Sequence, residues 1–370
     1  MIRSSFGYRR VLPYVLGVLA ALTPLLAIQH VLAAGESDLV PRYLLGLVHA
    51  PEVHRELDLT ADQVVGLESL FQEIDPVWFP ARNLPTDQRL VVVDELEGRV
   101  RDWFSENASD QQSQRLRQLE FYAQGSRILL RDDVAQELGI DAAQQAKIAE
   151  VAEASQAAQQ KLAATKYGDE SLAELRADVT KKVAAEQSVM NQVFRPEQRG
   201  KLSKMLGERY DPSRLSRIYA MAPNFGPSQE WINSSPLSMG KLRGKVVLVH
   251  FYAFQCHNCH ANFDIYRRWA ETYSDDEVVV IGIQTPETSR ERDAGAVRAA
   301  AKEKGLTFPI QIDLDSKSWA AWGNTMWPTV YVVDKNGYIR HWWSGELNWK
   351  GATADKTIEQ VVDKLLAEKV

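Results

Sequence analysis

Val246 to Phe251 is an apolar run broken only by His250, and it leads into Cys256-His257-Asn258-Cys259-His260. A strand this uniformly apolar is buried on both faces. The chain must therefore build a sheet with cover on either side, and the cysteine pair stands where that strand ends. No other cysteine occurs in the 370 residues. Two are too few for a disulfide framework, and a lone C-x-x-C is what remains when cysteine is kept for chemistry. The string has two readings. One is a dithiol/disulfide redox centre. The other is a c-type haem attachment site, Cys256-x-x-Cys259-His260, with His260 as an axial ligand.

The residues downstream set the context. Cys256 to Tyr273 is predicted helical, with Phe263, Tyr266 and Trp269 on one face. Val278 to Ile283 is a second buried strand. Arg290 to Lys304 is a helix stopped by Gly305. Phe308 to Ile312 is a short strand and Ser316 to Trp322 a short helix. Thr329 to Val333 is a third main strand, and Asp334-Lys335-Asn336-Gly337 turns it into a hairpin. A helix from Thr357 to Lys369 closes an α/β unit.

In that setting the strand delivers Cys256 to the first turn of a helix. Unpaired N–H groups and the helix dipole there stabilise a thiolate. Cys259 follows on the same helical face and can reach the first sulfur. Trp327-Pro328-Thr329 precedes a buried strand, where proline costs no needed donor and a cis bond would turn the chain toward the cysteines. A cytochrome would instead need a haem crevice of helices and loops with a second axial ligand. Peroxidase chemistry lacks a Thr three residues before Cys256, where Ala253 stands. A metal held by Cys256, His257, Cys259 and His260 would be crowded. No metal and no cofactor is expected.

Residues from about 222 to 366 resemble the thioredoxin superfamily, and within it the exported TlpA-type redoxins and the redoxin domain of DipZ-type proteins. The carrying motifs are Ala222-Pro223-x-Phe225, Trp231-Ile232-Asn233, Pro236-Leu237-Ser238, Leu242 to Val249, Cys256-x-x-Cys259, Trp327-Pro328-Thr329 and Gly345-Glu346. The insertion between Thr307 and Trp322 is also similar to the TlpA type. The resemblance implies a thiol–disulfide oxidoreductase acting on protein thiols or disulfides. It implies Cys256 as the attacking thiol, Cys259 as the resolving thiol and Pro328 as the cis-proline, with a membrane or periplasmic electron donor or acceptor. Trp327, beside Pro328 and Thr329, is expected to line the client groove.

Three positions depart from the pattern. Gln255 stands where many thioredoxins carry Trp. His250 stands where thioredoxin has a buried Asp, and reads either as a base for Cys259 or as a core histidine with a hydrogen-bonded ring. A protonated His257 would favour the Cys256 thiolate and make the disulfide more oxidising, with a potential above that of thioredoxin. TlpA-type relatives mostly reduce; His257 tilts toward oxidation or isomerisation, so direction stays open.

The preceding half reads as all-α. From Asp38 to Arg209 apolar residues recur at helical spacing, and a break at residues 166–169 is predicted to separate two long helices. Asp75-Pro76-Val77-Trp78-Phe79-Pro80, with Pro85 beyond, is predicted to be a loop whose aromatics pack back on the helices or touch a partner. A faint repeat links Thr60-Ala61-Asp62-Gln63 to Asp141-Ala142-Ala143-Gln144, each a helix cap followed by a reaching Gln. Two related hairpin units within residues 35–210 are expected, or simple capping chemistry. The L-T-x-x-Q string resembles Spy/CpxP-type helical proteins over these short motifs alone, so no function is carried across. Residues 211–236 read as a linker and entry segment, strand-like at Trp231-Ile232 and Leu237-Ser238-Met239, and 237–370 as the thioredoxin-like domain.

Residues 1–34 read as a targeting segment. Arg3, Arg9 and Arg10 precede an uncharged stretch from Val11 to Gly35, with small residues for cleavage at Ala33-Ala34. The expectation is a signal peptide, or a membrane tether through residues 11–34, with the body exported to the periplasm or cell envelope. Arg9-Arg10 also fits a twin-arginine signal. A net charge of −6 argues against nucleic acid as a partner. The expected whole is an exported two-domain protein, an all-α domain followed by an α/β thioredoxin-like domain. The competing reading is a helical client-binding or chaperone-like module regulated by its redox domain.

Overall fold

The computed structural model describes residues 38–165, 170–212, 215, 219–228 and 230–368. The expected targeting segment and the predicted break at 166–169 lie outside the described residues. Among the described residues, no helix is long and apolar enough to cross a membrane.

The chain begins with helices: α1 (Leu44–Val48), α2 (Pro51–Glu56), α3 (Ala61–Ala81), α4 (Thr86–Asn107), α5 (Asp110–Gln124), α6 (Asp132–Leu138), α7 (Ala142–Ala164), α8 (Leu172–Val193) and α9 (Pro196–Leu206). Thr60 and Asp141 cap α3 and α7, and each cap's own N–H donates to the Gln three residues on. Both glutamines then do more than cap. The Gln63 and Gln112 amides bond reciprocally at 3.0 and 3.1 Å, and Gln112 caps α5 with Ser109. Gln144 and Gln198 form the same reciprocal pair at 2.9 and 3.2 Å. Each amide pair ties the start of one helix to the start of another.

One predicted loop is a helix instead. α3 runs through Pro76 and Pro80 to Ala81, and the turn is confined to the residues between Ala81 and Thr86. A proline inside a helix removes a hydrogen bond and costs about 3 kcal/mol. Here the two prolines are four apart and share a face, with Pro76 exposed. The opposite face is anchored, because Ile74, Asp75 and Phe79 are buried. Phe79 packs in the core of the second domain, edge-on to Tyr331 and Trp342. Asp75 accepts from the backbone N–H of Met221 at 2.6 Å, and His49 Nε2 lies 3.0 Å from both its oxygens. Contact with the second domain holds the helix that local sequence would break.

The second domain carries β1 (Trp231–Ile232), β2 (Val246–Tyr252), α10 (His257–Thr272), β3 (Val278–Gln284), α11 (Ala294–Glu303), β4 (Ile310–Ile312), α12 (Lys317–Ala321), β5 (Thr329–Val333), β6 (Ile339–Ser344) and α13 (Ala354–Ala367). The sheet order is β1-β4-β3-β2-β5-β6. β2, β3 and β4 are parallel, while β5, β6 and β1 run antiparallel to their neighbours. The predicted central strand β2 is buried along its whole length. Leu248 and Tyr252 face α10 and α13; Val247, Val249 and Phe251 face the entry segment and Phe79 of α3. The entry segment is part of the sheet's surroundings: Trp231 pairs with Gln311, and Ala220 and Ala222 bond the β5–β6 hairpin. Leu237 to Met239 is not a strand. Met239–Leu242 forms a 3₁₀ turn, pinned where the Met239 N–H donates to Asn224.

Candidate functional site

Cys256 ends the loop from β2 and is the N-cap of α10. Its own N–H bonds Ala253 O at 3.2 Å, and its carbonyl accepts from Cys259 N at 3.1 Å, which closes the first helical turn. Cys256 is half-buried and Cys259 fully buried, both as free thiols. The Cys259 thiol, donating to the Cys256 sulfur, is the main cause that holds Cys256 below the ordinary cysteine value. Burial opposes it, and the N–H groups of Cys259 and Asn258 add to it. Burial pushes Cys259 far up, and its donation to Cys256 adds to that. One thiol is poised to ionise while its neighbour keeps its proton.

The sheet register supplies the other side of the site. Thr329 stands opposite Phe251, so Pro328 lies at the end of the sheet from which β2 runs toward Cys256. The Trp327–Pro328 peptide is cis. Pro328 and Thr329 are buried, and Pro328 O accepts from Gly345 N at 2.7 Å. Trp327 is half-buried and packs on the same apolar cluster as Cys256 and Phe254. Its ring stacks on Trp319 with centroids 4.1 Å apart. Met326 beside it is 48% exposed.

The histidines divide. His257 is exposed on the first turn of α10. His260 lies with Nε2 2.6 Å from Phe254 O, so the nitrogen a haem iron would need is occupied by a carbonyl. His250 is fully buried and stacked on Tyr266 at 3.9 Å, and neither ring nitrogen has a hydrogen-bond partner among the described residues. The expected core histidine with a hydrogen-bonded ring is therefore not what forms. Burial pulls His250 down to about 3, which keeps the ring neutral. Tyr266 and Tyr252, rather than His250, are the ring neighbours that feel charge on Cys259. Among the described residues, no three His, Cys, Asp or Glu side chains converge as a metal site.

Two supports were not anticipated. Glu291, fully buried, accepts from Gln255 N at 2.6 Å and from Glu287 N and Thr288 N at 2.8 Å. The string Thr288-Ser289-Arg290-Glu291 carried its signal, since T-x-x-E is a capping-box pattern and the box forms. Asn262, one turn beyond Cys259, accepts from Leu347 N at 2.9 Å and donates to Gly345 O at 3.2 Å. It ties α10 to the segment after β6. No spacing in the sequence announced that role.

A family described as AhpC/TSA matches residues 218–342. Protein DipZ of Mycobacterium tuberculosis is 35% identical over 128 residues, covering 34% of this chain and 18% of DipZ. Thiol-disulfide oxidoreductase YkuV of Bacillus subtilis is 27% identical over 146 residues, covering 40% of this chain and 94% of YkuV. A solved thiol-disulfide isomerase from Corynebacterium glutamicum aligns with 40% of this chain and 98% of its own, at 24% identity and a TM-score of 0.34. The chain thus spans only 18% of the length of DipZ. The family match falls on the part that holds the C-x-x-C turn and Trp327-Pro328, and that part of the chain is a redoxin domain of the thioredoxin superfamily.

Proposed function

We propose that the protein is an exported thiol–disulfide oxidoreductase acting on protein cysteines through Cys256 and Cys259. The observation that carries this is the asymmetry of the pair: a half-exposed thiol held low at a helix N-terminus, beside a buried thiol held high that donates to it.

In the reducing direction the Cys256 thiolate attacks a client disulfide. One client sulfur leaves as a thiolate, and a mixed disulfide forms. Cys259 then gives up its proton and attacks the Cys256 sulfur, expelling the second client thiolate. The client disulfide is reduced by two electrons and the Cys256–Cys259 dithiol is oxidised by two. A membrane or periplasmic dithiol partner restores the starting state, and the oxidising direction runs the same steps backward. Trp327, Pro328 and Thr329 form the wall against which a client segment lies. His257, exposed beside Cys256, biases the poise, and His250 stays neutral beneath the site. Export is supported by the basic start and uncharged stretch of residues 1–34.

The test is insulin reduction by the freshly reduced protein, with Cys256→Ser and Cys259→Ser alongside. Wild type turns over, Cys256→Ser does not, and Cys259→Ser accumulates a mixed disulfide. A reduced wild type that leaves insulin intact and forms no mixed disulfide overturns the proposal.

A further inference from the structure

We infer that the helical domain is a positioning element for the client wall of the redoxin domain, acting through Arg82 and Asn83 at the end of α3. This rests on the oxidoreductase reading for its substrate: an extended segment of a disulfide-bearing protein lying along Met326-Trp327-Pro328.

The contact is specific. Arg82 Nη2 donates to Trp322 O and Gly323 O, both at 3.0 Å, and to the Tyr331 hydroxyl at 3.1 Å. Its Nη1 donates to Phe79 O at 2.7 Å, and its guanidinium lies 3.7 Å over the Phe79 ring. Asn83 Nδ2 donates to Gly323 O at 2.7 Å. Two adjacent carbonyls of the redoxin domain thus take their partners from the helical domain. The planar guanidinium fork suits that task, whereas an ammonium would reach fewer acceptors at once.

What Arg82 grips is the root of the wall. Trp322 and Gly323 follow α12, and Asn324-Thr325 lead from them into Met326, Trp327 and Pro328. Tyr331, whose hydroxyl accepts from Arg82, donates onward to Asn324 Oδ1 at 2.8 Å. Trp319, on α12, stacks on Trp327. The segment from 322 to 328 is therefore held at its start by α3, in its middle by Tyr331 and at its end by Trp319 and β5.

Gly323 shows how close the approach is. Its φ is +57°, and a Cβ there would stand 3.1 Å from the Pro80 Cα and 3.0 Å from Arg82 Nη1. A side chain there would strain the backbone angle and press on the neighbouring helix. The two prolines in α3 fit the same picture, because the helix persists through them to deliver Arg82.

The experiment uses the full chain with Arg82→Ala, Asn83→Ala and Gly323→Ala, and two readouts. The first is backbone hydrogen exchange over residues 322–328 in the reduced protein, which needs no redox activity. The second is the split between KM and kcat on a protein disulfide. The expected result is faster exchange confined to that segment in all three variants, with KM raised about tenfold by Arg82→Ala, the scale of one charge-assisted bond. Arg82→Lys should recover only part. Should Arg82→Ala unfold the protein, Asn83→Ala, which removes one exposed bond, carries the test alone. Unchanged exchange in the segment overturns the inference, as does a loss confined to kcat. Absence of turnover in wild type with faster exchange in the variants would sink the oxidoreductase reading and leave the brace standing.

Discussion

Glu291 accepts a 2.6 Å hydrogen bond from the backbone N–H of Gln255, the residue next to Cys256. The carboxylate is fully buried and takes two further N–H groups from Glu287 and Thr288. It fixes the approach of the chain to the C-x-x-C turn. Glu291→Gln keeps the shape but turns an acceptor into an NH₂ group that faces backbone donors. Leaving such donors unsatisfied costs about 1–3 kcal/mol. Urea denaturation should show a loss of that size, together with faster trypsin cleavage at Arg290 or Arg292. A variant as stable as wild type would mean that the three bonds are dispensable.

The pH dependence of Cys256 follows from its partner. A donor on the sulfur stabilises the thiolate, so it lowers the pH at which Cys256 becomes nucleophilic. The alkylation rate of the reduced protein should rise through an inflection below the ordinary cysteine value. Cys259→Ala deletes the leading cause of that lowering, and the inflection should move up. An inflection that stays in place would assign the lowering to the helix N–H groups alone.

The redoxin half was open to reading because its constraints are local. An unbroken apolar strand, a cap at Cys256 and a proline before β5 each specify a backbone whatever lies elsewhere. The contact between the halves was not open in that way. Pro76 and Pro80 carry a local signal for a turn, and it is overridden by burial of Phe79 and by Asp75 bonding Met221 N, 146 residues away. His250 shows the same limit on a smaller scale. Its place in a buried strand fixed its burial, while its lack of any partner depends on which rings pack around it, namely Tyr266, Tyr252 and Phe308.

The paired glutamines should behave as coupled units. Gln63 donates to Asn107 O at 2.8 Å as well as to Gln112, and Gln198 donates to Gly139 O at 2.7 Å as well as to Gln144. Gln63→Ala removes a capping partner and leaves Gln112 with a lost bond, at a cost of about 1–2 kcal/mol. Gln112→Ala should cost a similar amount. The double variant should cost less than their sum, since each single change already breaks the reciprocal pair. Strict additivity in a double-mutant cycle would reduce the pair to two independent caps. The same cycle on Gln144 and Gln198 tests whether the two glutamine pairs act alike.

Glu97 links the stability of the helical domain to pH. It is 2% exposed, accepts from Leu44 N at 2.9 Å and from Arg101 at 3.1 Å, and shares Arg101 with Glu120. Burial raises it from 4.5 to about 7, against the pull of Arg101 and with Glu120 adding to the rise. Because its folded value lies above its unfolded one, the folded chain binds more protons between them. Its contribution is fully present below about pH 4.5 and is lost as pH rises through about 7. The full span is on the order of 3 kcal/mol. Glu97→Gln keeps an acceptor for Leu44 N and cannot ionise. The unfolding free energy of Glu97→Gln minus that of wild type should therefore grow from about pH 5 to about pH 8. A difference that stays flat across that range would show that Glu97 ionises freely beside Arg101, with its burial fully offset.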